Sequence, residues 1–460
     1  MARWLLGAAL VGLVAACDGT ESTGSAVGDP DAGLVEPDAG SQGGEEDAGV
    51  PDAALSPDAG AGPDANIPEP SVQGWTFYGT SQGGPSQVRG VTADEGGNVW
   101  VAGGAQGLYL LRPGSRTFER FTQGDGLYAV GTFEVISVSG GPAGTVFVGY
   151  QGWDPPGDYG CEDEWDRPDG IDPAPSVYKS GDADRVTLSG GGIQVQHYDI
   201  SSPTGFVAAE PRGREKLCTV YRILYDAHSQ SVWFGGNHAY AWGDPASARV
   251  MEHAHPLLNG FVSETIDHEY ALTGGYYGLA VEPTGDLWVG GIYRSQRCPA
   301  GLKGSGFWDC ESQGSLSSGE YALDWWPDLV HVDSRPRQRT DDRVSGLARG
   351  LDGSLWIGSF VNGLARRLPD GEVELITAGL VDPNRVSSVA VDPSDGSVWV
   401  GATRGGLTRI HGTVLKAWDG SVLGGRASSE ITDIQVDRSG TSRRILVAFR
   451  NGSIGIYEGP

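Results

Sequence analysis

Seven times along the 460-residue chain, an apolar run meets a polar turn and then a second apolar run with one bulky residue at its centre. The copies read VRGVTADEGGNVWVAGG around Trp100, VISVSGGPAGTVFVGY around Phe147, YRILYDAHSQSVWFGG around Trp233, YGLAVEPTGDLWVGG around Trp288, VSGLARGLDGSLWIGS around Trp356, VSSVAVDPSDGSVWVGA around Trp399, and ITDIQVDRSGTSRRILVAF around Leu446. Alternation inside each run is that of a strand, and the turn between two runs predicts a β-hairpin. One hairpin cannot bury both of its faces, so the copies must pack on one another. Their centres lie 47, 86, 55, 68, 43 and 47 residues apart, bracketing a repeat of about 40–50 residues, with insertions in the long intervals.

Repeats of that size closing into a ring predict an all-β fold, a seven-bladed β-propeller. Residues 344–380 supply a whole unit: SGLARG, SLWIGS, GLARRL and EVELITAG, with hairpin turns at Asp352-Gly353 and Asp370-Gly371. Such a blade runs outward from the central channel. The last unit ends in GSIGIYEGP and lacks a fourth strand, whereas residues 73–79, QGWTFYG, read as a strand without a hairpin partner. That N-terminal strand is expected to close the seventh blade and cover its edge. The bulky residues at equivalent mid-strand places are expected to form core between blades. The many glycines read as turn residues.

The units Asp352-Gly353-Ser354-Leu355-Trp356-Ile357-Gly358 and Asp395-Gly396-Ser397-Val398-Trp399-Val400-Gly401, the latter followed by Gly405-Gly406-Leu407, carry a resemblance. The pattern resembles the two-component-regulator propeller repeat over most of residues 71–460, strongly in the sixth unit and loosely in the second and seventh. The resemblance implies an extracytoplasmic propeller that binds glycan fragments or other small ligands as the sensing part of a membrane-bound kinase. No membrane helix, kinase segment or immunoglobulin-like domain is expected after Pro460, so a binding or scaffold role is what the resemblance is expected to carry over. The repeat is also similar to that of streptogramin lyase propellers, whose active-site residues do not align here.

Residues 1–17 hold Arg3, an apolar stretch from Trp4 to Val14, then Ala15, Ala16 and Cys17. This reads as a secretory signal, too short to span a bilayer. Its end, Leu-Val-Ala-Ala-Cys, resembles a bacterial lipobox, which implies lipidation at Cys17 and export to the cell envelope, outer membrane included. Acyl chains there would anchor the chain at roughly 0.8 kcal/mol per buried CH₂. Residues 18–70 carry thirteen acidic side chains and no Lys or Arg, with near-copies of Pro-Asp-Ala-Gly. They cannot bury a core and are expected to be a disordered linker, reaching roughly 40 Å as a coil.

The net charge of −27 divides into +1 from Arg3, −13 from the linker and −15 from residues 71–460. An acidic surface without a basic cluster argues against nucleic acid as a partner. The remaining cysteines, Cys161, Cys218, Cys298 and Cys310, are even in number, and in an exported protein predict two disulfides. Of three connectivities, Cys161 with Cys218 and Cys298 with Cys310 fits the expected loop positions best.

Candidate chemistry falls in two places. Insertions at about 150–176 and 293–328 are each expected to follow the second strand of a unit and so to share one face. They carry Trp153, Trp165, Phe307, Trp308, Tyr321, Trp325 and Trp326, with Asp154, Asp158, Glu162, Asp163, Glu164, Asp166 and Asp169. Flat apolar faces beside directional acceptors suit a sugar or peptide ligand; the plainer account is a satellite core under long loops. The channel mouth is the second place. Gln87, Arg89, Glu134, Arg222, Arg343, Arg385 and Glu430 start the inner strands, and convergent guanidinium groups suit capture of carboxylate or sulfate. Equally, opposite charges could neutralise one another and plug the ring.

No cofactor is expected. The acidic run 162–172 offers oxygens for Ca²⁺ without the order of an EF-hand loop, and His253 and His255, with His238 and His268 nearby, read more simply as surface histidines than as a metal site. No Gly-x-Ser-x-Gly, His-Glu-x-x-His or phosphate loop is present. The expectation is a monomeric, lipid-anchored, non-catalytic module that binds a glycan or an envelope protein. The alternative is a lyase or hydrolase working at the channel mouth, where Glu134 or Glu430 would serve, because propellers host many activities.

Overall fold

The computed structural model describes residues 69–128, 133–152, 183–198, 219–236, 240–254, 275–291, 295–298, 343–437, 439 and 443–459. Their strands pair antiparallel into seven sheets of an all-β propeller. A representative sheet runs Val344–Arg349, Leu355–Ser359, Gly363–Arg367 and Val373–Ile376, in chain order. The first strand of each sheet touches the first strand of the next. In order these inner strands are Gly90–Ala93, Val135–Gly140, Val220–Asp226, Tyr276–Val281, Val344–Arg349, Val386–Val391 and Ile431–Asp437, and the last also touches the first.

The sheet that begins with Ile431–Asp437 continues through Arg444–Phe449 and Ser453–Tyr457 to Trp75–Tyr78, with Trp75 opposite Tyr457 and Tyr78 opposite Ile454. Glu69–Val72 then pairs with Trp75–Tyr78 as a fifth strand. Glu69 and Pro70, read as the end of the linker, therefore lie in a strand. A single cluster joins Trp75, Phe77 and Tyr457 to Trp399 and Trp418 of the preceding sheet. Trp399 stacks on Trp418 at 5.0 Å, and Trp75 packs at 5.0 Å from Tyr457.

Each repeat's bulky residue sits in a second strand and is buried, from Trp100 and Phe147 to Trp399 and Leu446 at 0 % exposure. The glycine two residues beyond it corrects the reading of the glycines as turn residues. Gly149, Gly235, Gly290, Gly358 and Gly401 lie inside strands. A Cβ there would meet the first residue of the next inner strand: Val220 at 2.8 Å from Gly149, Tyr276 at 2.5 Å from Gly235, Val344 at 2.5 Å from Gly290, Val386 at 2.8 Å from Gly358 and Ile431 at 2.6 Å from Gly401. Neighbouring sheets approach too closely there for any side chain. True turn glycines are also present, such as Gly353 with φ of 81°.

A second correction concerns the insertion expected to begin at Tyr293. Ser295–Cys298 pairs with Leu287–Gly291 as the third strand of its sheet, Cys298 opposite Leu287. The chain beyond Cys298 thus leaves from the end opposite to the connections between second and third strands. Four residues of strand had been hidden because SQRC has too little apolar content to announce itself.

Turn carboxylates and third-strand arginines bracket the tryptophans. Arg409 lies 5.5 Å from the Trp399 ring and donates to Asp395 at 2.7 Å. Arg366 covers Trp356 and pairs with Asp352, and Arg297 covers Trp288 and pairs with Asp286. Burial alone would raise the Asp395 carboxyl, but hydrogen bonds from the Ser397 hydroxyl and amide and from Arg409 outweigh it and hold the group at about 2.

Two outcomes follow. Gly401→Ala should lower unfolding free energy by about 1–3 kcal/mol through overpacking against Ile431, read from urea denaturation. The Asp395 carboxyl ordinarily titrates near 3.8, so its folded value is depressed. Its contribution is complete above about pH 5 and is lost as pH falls through about 2, and Asp395→Asn should flatten the decline of stability over that window by about 1–2 kcal/mol.

Candidate functional site

The inner strands line a central channel, and their starts form one mouth. Glu134, Arg343, Arg385 and Glu430 each directly precede an inner strand, and each backbone carbonyl accepts the N–H of the residue just beyond the paired second strand: Gln151, Phe360, Thr403 and Arg450. Equivalent geometry puts all four at one level of the ring. Arg89 lies 3.7 Å from Glu134, and Arg450 pairs with Glu430. Arg385 and Gln87 are exposed. Arg343 adopts φ of 47°, an uncommon backbone state for a non-glycine residue.

Arg222 sits deeper. From the third inner strand it crosses the channel and donates through Nη1 to Asp433 Oδ1 of the seventh at 3.0 Å. Asp433 is buried at 4 % exposure, and it also accepts the N–H of Val91 at 3.2 Å, the N–H of Ile434 at 3.0 Å and the Gln435 amide at 3.3 Å. Four donors around one carboxylate make the buried charge tenable. The guanidinium and carboxylate form a bar across the channel.

Polar side chains also stitch neighbouring inner strands, whose backbones belong to different sheets. The Gly140 N–H donates to Thr92 Oγ1 at 2.8 Å, Tyr225 to Ser139 Oγ at 3.0 Å and Ile434 to Ser388 Oγ at 3.0 Å. In the other direction Ser137, Ser387 and Thr432 donate to the carbonyls of Val220, Ile431 and Val88. Backbone groups facing the channel are thereby satisfied without a continuous sheet.

Aromatic residues that sequence reasoning did not select also stand at the strand-start mouth. Tyr221 stacks on Tyr277 at 4.4 Å, and Phe360 meets Tyr277 edge-on at 5.2 Å. Burial, then the neighbouring Tyr221 phenol, pushes the Tyr277 hydroxyl well above its ordinary range. A signal was present: the two tyrosines open the third and fourth copies of the repeat, each one residue beyond the first position of its inner strand. Asp433 was missed because its partner lies 211 residues away.

Trp153, Trp165, Trp308, Tyr321, Trp325 and Trp326 lie outside the described residues, as do Cys17, Cys161, Cys218, Cys310 and the run 162–172. Cys298 is placed in its strand and His253 in the outer strand Arg249–Ala254. No cluster of three metal-ligating side chains occurs among the described residues.

With the geometry in place, comparison with solved structures adds a fold-level likeness. Virginiamycin B lyase from Staphylococcus aureus superposes with a TM-score of 0.51 at 13 % identity, over 83 % of this chain and 98 % of the lyase. The likeness is one of fold. The extracellular domain of a hybrid two-component system from B. thetaiotaomicron gives 0.48 at 14 % identity, over 81 % of this chain and 38 % of that one. The WD40 beta propeller domain of Doa1 gives 0.49 at 11 % identity, over 81 % of this chain and 93 % of that domain. No family model matches the chain, and no curated protein does.

Removing the bar's carboxylate tests its structural weight. Asp433→Ala strands the Arg222 charge and the Val91 N–H, and should cost about 3–5 kcal/mol of unfolding free energy. The double variant Asp433→Leu with Arg222→Met should recover most of that loss, as read by thermal denaturation of both proteins.

Proposed function

We propose that this chain is an exported, lipid-anchored propeller of seven blades, closed by its N-terminal strand, that acts as a non-catalytic binding module at the cell envelope. Each of the seven sheets is taken as a blade, and the pairing of Trp75–Tyr78 with Ser453–Tyr457 as the closure. Cys17 is the lipidation site, and residues 18–68 are the tether that carries the propeller away from the membrane. The Cys161–Cys218 and Cys298–Cys310 disulfides remain part of this reading.

One observation carries the binding role: the strand-start mouth carries Arg343 and Arg385, with the Arg343 carbonyl accepting the Phe360 N–H, so that guanidinium groups share the mouth with the Tyr221, Tyr277 and Phe360 cluster. Guanidinium groups and aromatic faces together suit a ligand with acid groups and flat apolar surfaces, such as an acidic glycan or a peptide of an envelope protein. Trp153 and Trp165 belong to the segment that leaves the second strand Thr145–Tyr150 at this same mouth. They are the loop residues we assign to the site, whereas Trp308, Tyr321, Trp325 and Trp326 follow the third strand Ser295–Cys298, which ends away from this mouth, and are left out of it. The bound state requires no cofactor and one copy of the chain.

The test is a binding screen of full chain against an acidic-glycan and envelope-peptide array. Arg343→Ala with Arg385→Ala should weaken the retained ligand about tenfold or more with little change in melting temperature, and Cys17→Ser should release the chain from membranes without altering that affinity. Equal affinity of the double variant and the parent would refute the site.

A further inference from the structure

The polar stitching between inner strands covers only part of the ring. Ser388, third in its inner strand, accepts the N–H of Ile434, fourth in the next, and Ser139, fifth in its own, accepts that of Tyr225, sixth in the next. From the third inner strand through the fifth, these two places hold Arg222 and Leu224, Gly278 and Ala280, and Gly346 and Ala348. None of those side chains can accept a hydrogen bond. The N–H groups left without a stitch are therefore those of Leu279 and Val281, Leu347 and Arg349, and Val389 and Val391.

These six groups face the channel. Just beyond the three strands, Glu282, Gly350 and Asp392 donate to the carbonyls of Asp286, Ser354 and Ser397 in their own sheets. Bonding alternates along an antiparallel ladder, so the residues one and three places back turn both N–H and C=O away from it, toward the axis. None of the six N–H groups has a hydrogen-bond partner among the described residues. All six residues line a cavity of about 280 Å³ on the strand-end side of the Arg222–Asp433 bar. Leu279, Leu347 and Val389 bury their side chains between sheets, so what they present to the cavity is backbone. Its cations are already matched: Arg222 pairs with Asp433 at 3.0 Å and Arg349 with Glu282 at 2.6 Å. Asp226, also in the lining, accepts the Ser229 N–H of its own turn at 2.9 Å.

Backbone donors and acceptors repeated on three walls fit hydroxyl groups, each of which both gives and takes a hydrogen bond, and matched charges favour a neutral occupant. We propose that this chamber binds a small neutral polyol, its hydroxyls bridging the inward edges of the strands that carry Leu279, Leu347 and Val389. The volume is that of about nine waters at about 30 Å³ each, room for a single polyhydroxylated ring. The site lies across the bar from the strand-start mouth and does not depend on the binding role proposed there. A failure of one therefore leaves the other untouched.

myo-Inositol and cyclohexanol, alike in ring and different in hydroxyl number, are the probes, titrated calorimetrically into the full chain. Inositol should bind at least about tenfold more tightly, as one or two net hydrogen bonds require. Gly346→Ser supplies a missing acceptor. A Cβ at Gly346 would stand 3.7 Å from the Val389 nitrogen, with no contact closer than 3.6 Å, so a serine there can take that N–H as Ser388 takes that of Ile434. The variant should weaken inositol binding about tenfold or more without lowering the melting temperature. In the parent chain, inositol at about ten times its Kd should slow hydrogen exchange of the Val389 amide about tenfold, a measurement that needs no variant to fold. Equal affinity for the two probes, undiminished inositol binding in Gly346→Ser, or Val389 exchange indifferent to inositol would each overturn the proposal.

Discussion

The close approach of neighbouring sheets at the strand-start end is the constraint on which the rest depends. Gly149, Gly235, Gly290, Gly358 and Gly401 leave no side chain between one second strand and the next inner strand, and Val220, Tyr276, Val344, Val386 and Ile431 fill the space. A larger residue at any of these glycines would wedge two sheets apart, and the opening would be passed around the ring. The buried tryptophans then set the spacing further out, where the sheets fan apart and need bulk. Small inside and large outside is the taper that lets flat modules stand around an axis.

That same approach creates a polar problem at the axis. Inner strands of adjacent sheets lie side by side without sharing a backbone ladder, so amides and carbonyls face the channel. Thr92, Ser137, Ser139, Ser387, Ser388, Thr432 and Asp433 answer it with side-chain hydrogen bonds across the junctions. Asp433 does so with a charge, which then needs Arg222 from across the ring. The bar separates a charged and aromatic mouth at the strand starts from a cavity of mixed polar and apolar lining toward their ends.

Hairpins, buried bulky centres and the sheet order were legible because they depend on local alternation and on a repeated phrase. The arginine-carboxylate pairs over tryptophans were half legible. Asp352 was recognised as a turn residue and Asp395 as part of the repeat, but their hold on Arg366 and Arg409 depends on a strand register that places Trp356 opposite Arg366 and Trp399 opposite Arg409. The third strand Ser295–Cys298 escaped notice because serine, glutamine and arginine in a row resemble a loop when the partner strand is out of view.

By itself, the sequence determined a ring of hairpin units and which residue of each unit goes inside, since both follow from short-range periodicity and the need of each sheet for a neighbour. Only the tertiary structure decided what the axis looks like. Arg222 reads as one of several arginines near strand starts, and nothing within its own repeat marks it as the group that reaches Asp433. Charge pairing across a channel joins residues far apart in the chain, and its energy depends on burial and distance, which exist only once the ring has closed around them.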